Sequence, residues 1–186
     1  MTNSAFRKLL ASCAAATALL SASIPATAQG TSFYVGASAG TTSADFCDGL
    51  GLTSCDDSDT GIKFFGGAAI NPNLALEFGY ADLGEITATG PGGTARIGVD
   101  GFQFAALGIL PLNPKFNLFG KLGLYLWDVS GTAPGVAISE DGNDIMFGLG
   151  AMWNLTQQFA LRAEWEQFDV DGEDVSLISV GAQFRF

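Results

Sequence analysis

The stretch VSLISVGAQFRF, residues 175–186, decides the fold because its residues alternate in character with a period of two. One face ends in Phe184 and Phe186, and the opposite face carries Gln183 and Arg185. This period predicts a β-strand rather than a helix. In a water-soluble sandwich the apolar face would point into a core. In a transmembrane barrel it would point toward lipid, and the polar face would line the interior.

The beginning of the chain predicts where the protein is sent. Arg7 and Lys8 supply a positive start, residues 9–20 are mostly apolar, and residues 26–28 form a small-x-small pattern. These features together are typical of a secretory signal peptide, and they favour it over a buried N-terminal helix. We therefore predict a cleaved signal peptide over residues 1–28 and a mature domain over residues 29–186.

Export changes the charge and the cysteine content of the chain. Removal of two basic residues leaves six of the eight, against nineteen acidic ones, so the mature net charge is −13. An acidic chain of this kind is not expected to bind nucleic acid. Cys47 and Cys55 remain after processing, and an oxidising compartment favours a disulfide between them over free thiols. Such a short loop would stabilise the fold by roughly 2–3 kcal/mol.

Seven further segments show the same alternation as residues 175–186. They are residues 33–40, 62–70, 74–80, 97–110, 117–128, 145–155 and 159–168. Most approach the ~9–11 residues of a tilted membrane strand. We predict three tight turns (residues 71–73, 111–115 and 156–158) in alternation with four longer polar loops (residues 45–60, 85–94, 130–143 and 169–174), which is the asymmetry of outer-membrane barrels. The predicted fold is all-β: an eight-stranded antiparallel up-and-down transmembrane β-barrel.

A soluble eight-stranded barrel is the alternative fold, with its large apolar side chains inside. Here the charge-bearing faces are rich in glycine and alanine, and the opposite faces are nearly free of charge. In water those apolar faces would form a larger exposed patch than a soluble monomer tolerates. In a membrane they meet hydrocarbon, and closure of the barrel satisfies every backbone hydrogen bond. We therefore expect the cell outer membrane of a Gram-negative bacterium.

Four stretches resemble the barrel of the outer membrane protein A family. They are LALEFGYADLG (residues 74–84), FGKLGLYLWD (residues 119–128), LRAEWE (residues 161–166) and SVGAQFRF (residues 179–186). The larger members of that family also carry a peptidoglycan-binding domain, and the resemblance here is to the barrel only. A terminal aromatic such as Phe186 is similar to the signal read by the barrel assembly machinery. The expected partners are therefore that machinery, outer-membrane lipid and lipopolysaccharide, with the chain as a monomer.

The resemblance also implies a charged cluster inside the barrel that acts as a plug or gate. The matching positions are Glu77, Lys121, Arg162 and Glu164. The alternation of each strand places the same four residues on the interior face. Ala106 and Met152 stand where the family has an interior lysine and glutamate, so a second, switchable ion pair is expected to be absent.

These observations leave two classes of function open, a structural or pore-forming barrel and a surface-interaction protein. An interior ion network can simply fill the barrel, or it can gate a path for small solutes, for which eight strands are barely wide enough. The chain has no histidine, so a Ser-His-Asp nucleophile is unavailable, and we predict no catalytic residue, cofactor or metal site. We expect a structural outer-membrane protein with at most minor passive passage of small solutes. The alternative is an adhesin or surface-interaction protein that acts through its loops.

Overall fold

The computed structural model describes residues 31–44, 54–56, 58–90, 93–133 and 136–186. These residues form nine β-strands. They are β1 (Ser32–Ala44), β2 (Ser54–Asp56), β3 (Ser58–Asn71), β4 (Leu74–Gly90), β5 (Gly93–Pro111), β6 (Phe116–Ala133), β7 (Val136–Asn154), β8 (Phe159–Val170) and β9 (Glu173–Arg185). Within the same residues there is no helix with the length and hydropathy needed to span a membrane.

The eight long strands close into a barrel in which every pairing is antiparallel. Each strand pairs with its neighbours in the chain, and β1 pairs with β9 to complete the ring. The short strand β2 adds to the outer part of β4, where Cys55 lies opposite Ala88. The predicted eight-stranded antiparallel up-and-down barrel is confirmed.

Burial alternates along each strand in the sense expected for a membrane barrel. On β8 the charged residues Arg162 and Glu164 are buried, whereas Leu161 is 39% exposed and Trp165 is 36% exposed. The exposed faces of the other long strands carry the large apolar side chains in the same way. This arrangement inverts that of a soluble protein, because hydrocarbon rather than water surrounds the outer face. We call this ring of exposed apolar residues the apolar belt.

The end of the barrel that carries both termini of the described chain has three tight turns, and we call it the turn end. Each turn is held by a polar side chain that accepts backbone N–H groups. Asn71 Oδ1 accepts from Asn73 N (2.8 Å), Asn113 Oδ1 from Phe116 N (3.0 Å), and Thr156 Oγ1 from the turn that begins β8. These side-chain contacts mimic a backbone turn and set the register of the following strand. The three predicted tight turns are confirmed.

The opposite end, which we call the tip end, differs from the sequence prediction. Residues 85–94 and 130–143 are mostly strand, because β4 pairs with β5 as far as Gly90 and Gly93, and β6 pairs with β7 as far as Ala133 and Val136. The prediction of long loops there is wrong. The polar outward residues lie beyond the apolar belt, where a strand faces water and needs no apolar side chains.

The connection between β8 and β9 was also predicted as a longer loop and is a two-residue turn. Asp171 and Gly172 both have positive φ, 54° and 84°. Two successive residues in this region are the signature of a type I′ hairpin, in which Asp-Gly is a preferred pair. The acidic composition of residues 169–174 therefore marks a turn rather than a loop.

A row of four aspartates runs across the outer face at the upper edge of the apolar belt. Asp82 lies opposite Asp100 on β5, Asp100 lies opposite Asp128 on β6, and Asp128 lies opposite Asp141 on β7. Directly opposed side chains in a sheet are about 4.5–5.5 Å apart at Cβ, so this row places like charges side by side. Tyr80 donates a hydrogen bond to Asp100 Oδ2 at 2.8 Å.

Two sequence predictions concern residues outside the described part of the chain. The predicted signal peptide, residues 1–28, lies wholly outside it, as do Cys47 and the side chain of Cys55. The signal peptide and the disulfide remain predictions.

Candidate functional site

The lower half of the lumen, nearer the turn end, contains six charged side chains that we call the ion cluster. They are Lys63, Glu77, Lys121, Arg162, Glu164 and Glu166. They come from β3, β4, β6 and β8, because interior positions on those strands point toward a common axis. Each of these side chains is only 0–1% exposed.

Arg162 is held by acids on two strands. Its Nη1 lies 2.7 Å from Glu77 Oε2 across the lumen, and its Nε lies 3.0 Å from Glu164 Oε1 on the same strand. The guanidinium carbon lies 4.2 Å from the ring centre of Phe65 and 4.7 Å from that of Phe119. Stacking of a guanidinium on aromatic rings adds cation–π attraction to the ion pairs. Arg162 is thus restrained by both charge and packing.

Lys121 connects the three glutamates. Its Nζ lies 2.7 Å from Glu77 Oε1, 3.0 Å from Glu164 Oε2 and 2.8 Å from Glu166 Oε1. An ammonium group has three donors, and each of them here has a carboxylate oxygen within reach. Lys121 therefore joins the Arg162 side of the cluster to the Glu166 side.

Lys63 completes the cluster on the side of β3. Its Nζ donates to Glu164 Oε2 at 2.9 Å and also to Glu166. The cluster thus holds three basic and three acidic groups and is electrically balanced. A buried charge without a partner is costly, and removal of one member of a buried pair typically costs about 3–5 kcal/mol. The balance explains how six charges can be enclosed in so narrow a space.

Neutral polar side chains extend the cluster at its edges. Tyr34 donates to Glu77 Oε2 at 3.1 Å, and Arg162 Nη1 donates to Gln183 Oε1 at 3.2 Å. Tyr34 lies on β1 and Gln183 on β9, so these contacts tie the cluster to the pair of strands that closes the ring.

The structure brings together all four residues that the sequence singled out, Glu77, Lys121, Arg162 and Glu164. Sequence reasoning missed Lys63 and Glu166 as members. The same alternation that placed the other four inward also places these two inward, so the signal was available. Lys63 and Glu166 form an ion pair at positions other than Ala106 and Met152. The absence of a switchable second pair stays a prediction.

Ala106 and Met152, which were aligned with interior charged positions of the family, lie on different faces of the barrel. Met152 is buried inside the barrel, as an interior position requires. Ala106 is exposed on the outer face beside Phe104, so it does not stand in place of an interior lysine. Its strand neighbour Leu107 faces the lumen instead. The correction follows from the strict two-residue period of β5.

The upper half of the lumen, toward the tip end, is filled by apolar and aromatic side chains that we call the apolar plug. Its members are Val99, Tyr125, Trp127, Met146, Phe168, Val170, Val175 and Leu177. The rings of Tyr125 and Phe168 lie 4.7 Å apart, and Tyr125 donates to the carbonyl of Ala81 at 3.1 Å. Trp127 Nε1 donates to Asp144 Oδ2 at 2.8 Å, which satisfies its only polar group. The lumen is therefore filled in two chemically different ways.

No group of three metal-ligating side chains that could hold an ion occurs among the described residues. The three buried glutamates are occupied by basic partners. What this arrangement can do chemically is link the interior faces of β3, β4, β6 and β8 through ion pairs.

Comparison with known proteins shows similarity to outer-membrane β-barrels. The model of the "Outer membrane protein beta-barrel domain" family matches residues 13–186. Outer membrane protein A of Salmonella typhi is 27% identical over 143 residues, which cover 70% of this chain and 41% of that protein. The match thus spans less than half of that relative.

Solved structures show the same fold. Neisserial surface protein A aligns with a TM-score of 0.62 and 17% identity over 84% of this chain and 99% of that one. Ail, the attachment invasion locus protein of Yersinia pestis, in complex with the heparin analogue sucrose octasulfate, aligns with a TM-score of 0.55 and 17% identity over 84% and 97%. This chain belongs to the outer membrane protein β-barrel domain family, because the family model matches it over residues 13–186. The inverted burial and the closed ring of eight strands agree with that family. The protein is located in the cell outer membrane.

Proposed function

We propose that this protein is a structural barrel of the outer membrane whose lumen is sealed twice, by the ion cluster below and by the apolar plug above. The observation that carries the proposal is the burial of the six charges, each 0–1% exposed at the side chain. A solute would have to part several ion pairs and then displace packed aromatic rings. Such a barrel adds a rigid, closed element to the membrane.

Passive passage of small solutes is at most a minor activity on this proposal. Glu77 is the member whose removal should open the lower seal, because it contacts both Arg162 and Lys121. Without it, two basic side chains at the centre of the lumen would repel each other. The lower seal would loosen, while the apolar plug would still limit flow.

Single-channel conductance of the refolded mature chain in planar bilayers tests this proposal. We expect the parent to be nearly silent and Glu77→Ala to show more frequent or larger openings. Glu85→Ala is the matched control, because Glu85 is exposed and its ion pair with Arg96, at 3.7 Å, lies outside the lumen. Circular dichroism should first show that each variant has refolded.

Frequent openings in the parent would contradict the sealed lumen. Equal conductance in Glu77→Ala and in the parent would show that Glu77 does not control the lower seal, and a response to Glu85→Ala would place the effect outside the lumen.

A surface-interaction role is the second candidate, and the hairpins at the tip end favour it. The β4–β5 and β6–β7 hairpins remain paired well beyond the aspartate row and so stand above the membrane surface. Ail, which shares the fold, is described as an attachment invasion locus protein. Shortening the β6–β7 hairpin should abolish binding to a host surface on this candidate, whereas Glu77→Ala should leave binding unchanged.

We also propose that the end of β9 is what the assembly machinery reads. Phe186 is 66% exposed on the outer face, next to Phe184 at 6.4 Å between ring centres. Substitution Phe186→Ser should lower the amount of barrel inserted in cells while leaving the refolding of the purified chain nearly unchanged.

A further inference from the structure

We propose that the mouth of the barrel at the tip end contains a binding pocket for a small amphiphilic cation, with an apolar body and an ammonium or guanidinium head. We call it the outer pocket. It lies above the ion cluster and does not depend on whether the lumen conducts, so it goes beyond the structural role.

The outer pocket is a cavity of about 250 Å³ with apolar walls. Its wall residues come from three strands whose inward faces remain apolar past the apolar belt. They are Ile97, Val99, Trp127, Val129 and Val170. The floor is well packed, because Val99, Trp127 and Val170 are all buried. A dry apolar cavity of about 150 Å³ holds a benzene molecule, so the outer pocket has room for a phenyl ring with a short alkyl chain.

The rim of the outer pocket is acidic. Glu140 on β7 and Glu173 on β9 line it, together with Asp171 in the β8–β9 turn. None of the described residues that line it is basic. A cation whose apolar body enters the pocket would place its charge among these carboxylates, and complementary charge of this kind raises both selectivity and the rate of association. An anion of the same shape would be repelled.

Two further observations indicate that the pocket is an open site rather than a gap in the core. Ile138, one of its lining residues, is 47% exposed at the mouth, where it faces water. Gly131 lies in the wall, and a Cβ added there would meet Ile138 Cβ at 3.5 Å, an ordinary contact. The space beside Gly131 is therefore not required for packing, and a larger residue could occupy it.

Trp127 provides a reporter for binding. The chain has three tryptophans. Trp153 and Trp165 face lipid, whereas Trp127 forms part of the pocket wall. In a Trp153→Phe/Trp165→Phe background, reconstituted in phosphatidylcholine vesicles, the fluorescence of Trp127 can be titrated with 4-phenylbutylammonium. We expect a saturable spectral change.

Two sets of variants locate the site. Gly131→Leu should fill the cavity and weaken the apparent affinity at least 10-fold. The double variant Glu140→Gln/Glu173→Gln removes two rim charges and should weaken it about 3- to 10-fold, in line with the strength of exposed ion pairs. Asp141→Asn is the matched control, because Asp141 follows Glu140 directly but lies on the outer face, and it should leave the affinity unchanged.

The neutral analogue 4-phenylbutanol and the anion 4-phenylbutyrate test the charge requirement. Both should bind more weakly than the ammonium compound. A non-saturable change that is the same in Gly131→Leu would show simple partition into lipid and would overturn the proposal. Equal affinity for all three probes, or no change in any of them, would overturn it as well. If Gly131→Leu does not refold, the double variant Glu140→Gln/Glu173→Gln still tests the site, and an affinity equal to that of the parent would overturn the proposal.

Discussion

The two halves of the lumen are both closed, but by opposite means. The ion cluster closes its half with charged side chains that each need an oppositely charged partner. The apolar plug closes the other half with side chains that need only fit together in shape. A single strand crosses both halves, because β8 presents Arg162, Glu164 and Glu166 below and then Phe168 and Val170 above. The same alternating strand can therefore line a lumen that is filled by charged side chains and one that is filled by apolar side chains.

The two chemistries fail in different ways. When a partner is lost from the ion cluster, a charge is left buried and unpaired, and the cost is electrostatic. When a side chain is lost from the apolar plug, a cavity is left, and the cost depends on how far the neighbours can relax. Variants in the two halves should therefore separate these two kinds of loss.

The largest effect is expected for Arg162→Ala. Glu77 and Glu164 would lose a basic partner at 2.7 Å and 3.0 Å, so the free energy of unfolding should fall by about 3–5 kcal/mol. Urea unfolding of the barrel refolded in lipid vesicles measures this loss. Arg96→Ala, which breaks an exposed ion pair, should change the value by less than about 1 kcal/mol. Similar losses for Arg162→Ala and Arg96→Ala would mean that burial does not distinguish the cluster.

A somewhat smaller effect is expected for Leu177→Ala in the apolar plug. Leu177 is fully buried, and its truncation should cost about 2–4 kcal/mol through the cavity that it leaves. Ile178→Ala is the control, because Ile178 is 64% exposed to the membrane and lipid can fill the space that it vacates. The same urea titration applies. If Ile178→Ala proved the more damaging change, the assignment of Leu177 to a packed core would be wrong.

The third prediction concerns the polar contact at the top of the apolar plug. Asp144→Ala should leave the indole N–H of Trp127 without its acceptor and cost about 1–2 kcal/mol. Asp144→Asn retains an oxygen acceptor and should cost less. The emission of Trp127 in the background without the other two tryptophans should shift in Asp144→Ala and remain near that of the parent in Asp144→Asn. Identical spectra for the two variants would contradict the role of this hydrogen bond.

The smallest effect is expected from pH at the tip end. The backbone N–H groups of Glu85 and Thr60 donate to Asp59, each at 2.7 Å, and hold the pKa of Asp59 below its ordinary value of 3.8. The stabilising contribution is therefore fully present above that value and is lost as the pH falls through the lower pKa of the folded protein. Asp59→Asn should lower the urea midpoint slightly at pH 7, where that contribution is present, and leave it unchanged at a pH below the pKa of the folded protein, so that the acid dependence becomes flatter. An unchanged acid dependence would show that Asp59 contributes nothing.

Much of the fold could be predicted from the sequence, because a membrane barrel follows a strict period of two. That period placed Glu77, Lys121 and Arg162 inside and defined the eight strands. It could not define where strands end at the tip end, since polar outward residues there look like loop residues. The turn at Asp171 and Gly172 shows the same ambiguity, because an Asp-Gly pair in an acidic stretch suits either a loop or a hairpin.

The composition of the ion cluster was harder to predict than its location. Alternation identifies interior positions but not which interior charges meet across the lumen. Lys63 and Glu166 lie on strands that are not adjacent in the ring, and their contact depends on the stagger between strands. The outer pocket depends on the same geometry, since Val129 and Val170 line one cavity although β6 and β8 are not adjacent in the ring.

The aspartate row has a consequence for how the barrel sits in the bilayer. On the flank formed by β4 to β7, four neighbouring carboxylates mark the upper edge of the apolar belt, and Asp169 on β8 lies opposite Asp174 on β9 near the same edge. The flank formed by β1 and β3 carries Thr41 opposite Thr60 there instead. Carboxylates resist burial in hydrocarbon far more than amides or hydroxyls do. The acidic flank therefore cannot move into the hydrocarbon, whereas the other flank can. In a thicker membrane the barrel would tilt toward the side formed by β1 and β3 rather than descend evenly.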